Sequence, residues 1–158
     1  VVLLRAGDFF GKDLTSSWMN FILKAKAKHY MLTVPGPMQI PHTWAYLPDM
    51  ARQACRILEQ KNWPSNYNEF HFEGHRFSFD ELKTVIEKRT GKPVKVRKLP
   101  WWLFNILGMF KADIRELVAM KYLWFNEINL ETSHQQVKEQ NRNNQIELID
   151  SLLESGLV

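Results

Sequence analysis

The sequence is poor in cysteine: Cys55 is the only one, so no disulfide can form within the chain. A chain without a disulfide framework suits a reducing compartment, and we expect a cytoplasmic protein. Cys55 falls on the apolar face of a predicted helix, which favours a buried and unreactive thiol over a reactive one.

Long apolar runs are also absent. The longest, Trp101–Phe110, is interrupted by Asn105 and is far too short to cross a bilayer. Its aromatic residues follow Lys95, Arg97 and Lys98, a combination that can bind nucleic acid. An aromatic cluster after a proline is more often core or interface, and the net charge is only +4. We therefore expect neither membrane nor nucleic-acid binding.

Glycines are missing where a nucleotide would need them. The 7 glycines form no GxGxxG and no GxxxxGK[ST]. Such turns bring backbone amides against a pyrophosphate at a helix N-terminus. Gly7 and Gly11 are the only close pair near a predicted strand end, and their spacing does not fit. The sequence thus contains no recognisable dinucleotide cradle.

Metal-binding patterns are equally weak. His71 and His75 are four residues apart with Glu73 between them, a spacing that presents two ligands on one face of a helix. Phe72 and Gly74 favour extended structure instead, and the glutamate is misplaced for HExxH. We expect no metal site.

The residues that are present predict a globular α/β chain. A hydrophobic fraction of 45% and a charged fraction of 24% are typical of one folded domain. Val1–Leu4 is an unbroken apolar run, which indicates a buried parallel strand. Such a strand needs neighbours on both sides, so we expect further polypeptide before Val1. A helix is predicted from Thr15 or Ser16 to about Lys28.

Strands and helices alternate through the rest of the chain. Ala51, Ala54, Cys55 and Leu58 predict the buried face of a helix that begins at Pro48. The other predicted features are strands at Met31–Val34, Ile40–Leu47, Glu69–Phe72 and Val94–Leu99, a turn at Pro35-Gly36-Pro37, a capping box at Ser78 and Glu81, a helix stop at Gly91, and helices over Trp101–Phe110, Ala112–Trp124 and around Ile146–Leu153.

Four short segments in order carry a resemblance to a known family. They are Arg5-Ala-Gly-Asp-Phe-Phe-Gly11; Pro41-His-Thr-Trp-Ala-Tyr-Leu-Pro-Asp-Met-Ala51; Gly91-Lys-Pro-Val-Lys-Val with Leu99-Pro-Trp-Trp; and Arg115-Glu-Leu with Tyr122-Leu-Trp. Together these segments resemble the extended short-chain dehydrogenase/reductase family, also called the NAD-dependent epimerase/dehydratase family. The resemblance runs from Val1 to about Glu131.

The resemblance implies an α/β fold class: the C-terminal fragment of a Rossmann-type NAD(P)-binding fold, made of the last sheet strands and a small mixed helical substrate-binding lobe. One unit would span 1–158, with the sixth Rossmann strand and active-site loop at 1–11 and a polar break and C-terminal helix at 132–158. The family's acid/base Tyr is followed four residues on by a Lys. Here those positions hold no Lys, since they are Val34, Met50, His71 and Asn126.

The family pattern also implies site residues. Ala6, Gly7, Asp8 and Phe9 would lie beside the nicotinamide, and Asp8, Phe10, Trp18 and His42 would bind a small-molecule substrate. An acid at Asp8 repels anionic groups, which disfavours a nucleotide-sugar substrate. NAD or NADP would serve the intact protein but would not bind tightly to this chain alone, which lacks catalytic residues and the N-terminal Rossmann half. A homo-oligomer is compatible with the pattern.

Simpler structural roles stay open for the same residues. Asp8 could cap a turn, His42 could be a satisfied loop histidine, and Trp18 could belong to the core. Phe9 and Phe10 are adjacent on an extended segment, so one of them is expected to face the cleft. The second functional hypothesis is a stand-alone, non-catalytic binding or regulatory module of the same fold.

Overall fold

The computed structural model describes residues 1–14, 16–60, 66–128 and 147–158. Its strands are β1 Val2–Ala6, β2 Asp8–Phe10, β3 Leu23–Ala25, β4 Tyr30–Val34, β5 His42–Tyr46, β6 Asn68–Phe72, β7 His75–Phe77 and β8 Val94–Lys98. Its helices are α1 Trp18–Ile22, α2 Leu47–Glu59, α3 Phe79–Thr90, α4 Trp101–Gly108, α5 Ala112–Ala119, a 3-10 helix Met120–Trp124, and α6 Leu148–Glu154.

The described strands form three small sheets that mix parallel and antiparallel pairs. β1 lies parallel to β6, β2 lies parallel to β5, and β5 is antiparallel to β7. The third sheet has β4 in its centre, antiparallel to β3 and parallel to β8. Between β1 and β2 the chain passes from one sheet to another through the single residue Gly7.

A core rich in aromatic residues fills the space between the second and third sheets and α3. Its largest fully buried side chains include Phe10, Met19, Trp44 and Phe79. A separate, smaller cluster joins Leu4 on β1, Ile57 on α2 and Phe70 on β6. Burial of large apolar side chains is the main favourable term in folding, at about 1.5–3 kcal/mol for each Leu- or Phe-sized side chain.

The capping signals of α3 are confirmed. Ser78 accepts a hydrogen bond from the backbone N–H of Glu81 at 3.2 Å, and Glu81 Oε2 accepts one from the Ser78 N–H at 2.7 Å. Hydrogen bonds that the Ser78 backbone N–H and the Ser78 hydroxyl donate to this carboxylate hold the pKa of Glu81 below its usual value. Gly91 ends the helix with φ of 66°, a left-handed conformation that favours glycine.

The first helix was predicted too long. It starts at the N-cap Ser17 and ends at Ile22, and the chain then forms β3 instead of continuing to Lys28. Leu23 pairs with Leu32, and Ala25 pairs with Tyr30, across an antiparallel ladder. Hydrogen bonding to β4 therefore outweighs the local helical preference of this lysine-rich segment. Thr15, the other predicted cap residue, lies outside the described residues.

The buried face of α2 also differs from the prediction. Asp49, Gln53 and Ile57 form the buried row, at intervals of four residues. Leu58 is 76% exposed, and Cys55 is an exposed free cysteine, so the prediction of a buried thiol was wrong. The orientation of the helix is fixed by its direct continuation from β5, which turns a partly polar row inward.

β1 was predicted to be buried, and the described structure leaves it partly exposed. Within the described residues it pairs with β6 alone, and Val2 is 38% exposed. The predicted helix over Ala112–Trp124 divides into α5 and the 3-10 helix. α6 confirms the last predicted helix, whereas the predicted polar break at Asn141–Asn144 lies outside the described residues.

Replacement of Gly7 by alanine should destabilise the fold. An added Cβ would lie 2.2 Å from the carbonyl oxygen of Thr43, and neither backbone can move without disturbing a strand. We expect Gly7→Ala to lower the free energy of unfolding by about 1–3 kcal/mol, the usual cost of overpacking, in a denaturant titration. Gly11→Ala is the matched control, because its Cβ would meet Leu47 Cβ at an ordinary 3.4 Å. Equal losses in both variants would contradict the close contact.

Candidate functional site

A cavity of about 340 Å³ opens where β1 passes into β2. Three separate stretches of the chain and Trp18 form its walls. Its lining residues are Ala6, Gly7, Asp8, Trp18, His42, Thr43, Met120, Leu123, Trp124 and Ile128. The cavity lies at the C-terminal end of the parallel strand β1, the end at which open α/β sheets bind ligands.

Five residues that the sequence singled out meet in this cavity: Ala6, Gly7, Asp8, Trp18 and His42. Phe9 lies instead in an adjoining cavity of about 260 Å³, which shares Asp8 and Trp18 with the first. The structure thus brings together Gly7, between β1 and β2, and His42 on β5, which are more than thirty positions apart in sequence. Whether these residues bind cofactor or substrate stays a prediction.

Phe10 does not belong with them. Its side chain is fully buried in the core, with its ring 5.3 Å from that of Tyr46, and it lines neither cavity. Phe9 is 40% exposed. Successive side chains on a strand point to opposite faces, so β2 places one phenylalanine inside and the other outside. The structure thus places Phe9 in a cavity wall and Phe10 in the core, and a binding role for either residue stays a prediction.

Ser17 fixes Trp18 beside the loop. Its hydroxyl donates a hydrogen bond to the carbonyl oxygen of Phe9 and accepts one from the backbone N–H of Met19 at 3.1 Å. The same side chain therefore caps α1 and ties its first turn to β2. Since Trp18 is the first residue of that helix, its position follows that of the Asp8–Phe9 backbone.

Trp124 is one of five lining residues that sequence reasoning missed, together with Thr43, Met120, Leu123 and Ile128. It is 4% exposed, and its ring packs edge-on against those of Trp18 and His42 at centroid distances of 5.1 and 5.0 Å. Its carbonyl oxygen would lie 2.1 Å from a Cβ at Gly36, so the predicted turn at Pro35-Gly36-Pro37 holds it in place. The only sequence signal was its place in the Tyr122-Leu-Trp motif.

Burial shifts both titratable groups of the cavity towards their neutral forms. Burial raises the pKa of the Asp8 carboxyl above 3.8 and lowers the pKa of the His42 imidazole below 6.5. His42 Nε2 is buried without a hydrogen-bond partner among the described residues. A low-dielectric site disfavours the charged form of each group, because the protein interior solvates charge poorly.

A second polar group lies on α2 and β7. Asp49 and Gln53 are buried, His75 is partly buried, and His75 Nε2 lies 3.9 Å from Asp49 Oδ2. Burial lowers the pKa of His75, and the nearby Asp49 carboxylate opposes that shift. His71 faces elsewhere, 3.1 Å from Glu69 Oε1. In the described part of the chain, no three His, Cys, Asp or Glu side chains are grouped to hold a metal ion.

Comparison with known proteins gives structural likeness only. No protein-family model matches the chain, and no curated protein matches it. A solved structure of UDP-glucuronic acid 4-epimerase from Bacillus cereus, in complex with UDP-glucuronic acid and NAD, aligns with a TM-score of 0.62 and 15% identity. A nucleoside-diphosphate-sugar epimerase from Staphylococcus aureus aligns with a TM-score of 0.56 and 17% identity.

The two alignments take in 98% and 97% of this chain. The chain has the α/β fold of part of a Rossmann-type, NAD(P)-binding epimerase structure. It spans 43% and 51% of the two aligned chains, or about half of their length. At these identities the likeness establishes the fold and leaves the function to be argued from the site. Among residues 1–14, 16–60, 66–128 and 147–158, no helix is long and apolar enough to cross a membrane.

Removal of the Trp124 ring should weaken the fold and open the cavity. Trp124→Ala deletes a nearly buried indole that contacts Trp18, His42, Trp44 and Phe79, so we expect a loss of about 3–5 kcal/mol in the free energy of unfolding. Trp102→Ala is the control, because Trp102 is 66% exposed, and it should change stability by no more than about 0.5 kcal/mol. Similar losses in both variants would show that Trp124 does not hold the cavity wall.

Neutralisation of Asp8 should stabilise the protein near neutral pH. Burial raises the pKa of Asp8 in the folded state above the ordinary value of 3.8. Below pH 3.8 the carboxyl is protonated in both states and does not affect the free energy of unfolding. As the pH rises from there through the folded-state pKa, ionisation increasingly favours the unfolded state. Asp8→Asn should therefore raise the thermal midpoint near neutral pH, with a gain that disappears on acidification below that value. Asp13→Asn removes the same charge from an exposed residue with φ of 61°, which Asn tolerates. A gain at Asp8 that does not vary with pH would contradict the desolvation argument.

Proposed function

We propose that this chain is the substrate-recognition part of an NAD(P)-dependent epimerase, dehydratase or reductase. On this proposal it forms the C-terminal part of a longer enzyme, and a Rossmann half outside these residues holds the cofactor. The observation that carries the proposal is the cavity, because Ala6, Gly7, Asp8, Trp18 and His42 line it together. The likeness to two epimerase structures over about half of their length, one of them in complex with NAD, supports it.

The residues of this chain fit one end of such a cofactor. Ala6 and Gly7 are small and line the cavity, so a flat ring could approach their backbone closely. Nothing in the sequence resembles the glycine-rich turn that would hold a pyrophosphate. A bound nicotinamide would supply hydride exchange at a carbinol or carbonyl carbon. The chain's own part is to bind and orient the substrate.

Two features of the cavity suit that part. The Trp18 and Trp124 rings and the side chains of Met120, Leu123 and Ile128 give apolar walls that exclude water from a bound substrate. Asp8 supplies a carboxyl group that can accept a hydrogen bond from a substrate hydroxyl. Orientation then comes from a few polar groups, which are Asp8, His42 and Thr43, within a largely apolar lining, the usual composition of a small-molecule site.

The 158-residue chain should show no turnover by itself. With NADH or NADPH and a panel of ketones and aldehydes, we expect nicotinamide absorbance to decay no faster than in a blank, because the chain lacks the nucleotide cradle and the Tyr–Lys pair. Folding of the sample would be checked by a cooperative thermal transition. Cofactor-dependent turnover by this chain would overturn the proposed division of labour.

The alternative is a stand-alone binding or regulatory module of the same fold. It is favoured by one observation: the chain has a cavity lined by Asp8, Trp18 and His42, while its sequence contains neither a GxGxxG nor a YxxxK. The two proposals differ in what the gene encodes before Val1. An in-frame glycine-rich strand–turn–helix and a YxxxK support the enzyme, and a start codon directly before Val1 supports the module.

A further inference from the structure

The lining of the main cavity is unusual in its charge. Of its ten residues, Asp8 and His42 are titratable, and among the described residues no Lys or Arg lines it. An anionic ligand group in this space would meet a carboxyl and no cation. Burial of an unpaired charge is costly, so this composition selects against anions.

The arginines that are adjacent to lining residues, along the chain or across a strand pair, form ion pairs with residues that do not line the cavity. Arg5, next to Ala6, forms an ion pair with Glu69 on β6. Arg76, the register partner of Thr43, forms an ion pair with Glu127. These two guanidinium groups therefore have carboxylate partners outside the cavity.

Lys121 is the third nearby cation and is also occupied. Its Nζ lies 5.7 Å from the centroid of the Trp101 ring and 5.1 Å from that of Phe125, two rings that do not line the cavity. A diphosphate or carboxylate in the cavity would thus have to recruit a side chain from an existing interaction.

The size and shape of the cavity also favour a small, uncharged ligand. About 340 Å³ is near the lower end of the range of about 300–1,000 Å³ that ligand pockets span. Trp124 packs edge-on against both Trp18 and His42, which fixes these walls around a compact space. Burial also shifts the pKa values of Asp8 and His42 towards their neutral forms, so both groups show that the site penalises charge.

We propose that the cavity binds an uncharged, compact, largely apolar alcohol whose hydroxyl donates a hydrogen bond to the Asp8 carboxyl, and that it rejects nucleoside diphosphate sugars. This inference rests on the proposed function, since it names the substrate class of that same site. It sets the chain apart from the Bacillus cereus epimerase, whose structure contains UDP-glucuronic acid.

The test is a binding series on one scaffold. Benzyl alcohol is the neutral probe, 4-(hydroxymethyl)benzoate and 4-(hydroxymethyl)benzylammonium add a small para substituent of negative or positive charge, and UDP-glucose is the fourth probe. Each is titrated into the ¹⁵N-labelled chain while the indole N–H signals of Trp18 and Trp124 are followed by NMR. Trp102, which is exposed and outside the cavity, reports non-specific binding.

We expect benzyl alcohol to bind tightest and to exceed the benzoate in affinity by about tenfold or more, because the benzoate would bury a carboxylate in a lining that offers a carboxyl group and no Lys or Arg among the described residues. UDP-glucose should leave the Trp18 and Trp124 signals unchanged. Any other probe binding tightest, or no binding by benzyl alcohol up to its solubility limit, overturns the inference.

Asp8→Asn identifies the discriminating group. It should bring the affinities for the alcohol and the benzoate closer together, whereas Asp13→Asn, which removes an equal charge from the exposed surface, should leave their ratio unchanged. An unchanged ratio in Asp8→Asn overturns the assignment to Asp8. If Asp8→Asn fails to fold, the ranking on the unaltered chain decides.

Failure of this inference differs from failure of the proposed function. If the chain prefers the alcohol and no nucleotide-binding half is encoded before Val1, the proposed ligand class is supported and the enzyme proposal is overturned. If UDP-glucose binds tightly and such a half is encoded, the enzyme proposal is supported and the proposed ligand class is overturned.

Discussion

The close approach of two backbones at Gly7 is the constraint on which the site depends. The chain leaves β1 at Ala6 and enters β2 at Asp8, so one residue must make the crossing between sheets. That crossing brings Gly7 against the carbonyl group of Thr43, where a Cβ has no room. β2 pairs in parallel with β5, and Asp8 on β2 and His42 on β5 line the same cavity.

Trp124 forms another wall of the cavity that opens at this crossing. The 3-10 helix that carries it follows α5, far along the chain from the β1–β2 loop, and its ring closes the cavity against Trp18 and His42. Gly36 allows the backbone of Trp124 to sit against the turn after β4. The 3-10 helix thus supplies an apolar wall that packs against both the β1–β2 loop and β5.

The site is built at some cost to stability. Asp8 is partly buried with its pKa raised, and His42, Asp49, Gln53 and His75 each hold a buried polar atom without a partner among the described residues. Unpaired buried polar groups oppose folding, and native proteins tolerate them mainly where function requires them. The large aromatic core around Trp44 and Phe79 offsets this cost and holds the polar groups in fixed positions.

The sequence alone determined features whose causes act within a few residues. These include the capping box at Ser78, the left-handed stop at Gly91, the strand before the Pro35 turn, and the loop and strand that carry Asp8 and His42. Other features depended on segments that are distant in sequence. β3 formed because it could pair with β4. Cys55 is exposed because α2 continues directly from β5, whose direction sets the rotation of the helix. The core position of Phe10 and the cavity wall at Trp124 were settled in the same way. Local hydrogen bonds and backbone preferences can be read from neighbouring residues, whereas burial and strand pairing depend on which remote segments meet.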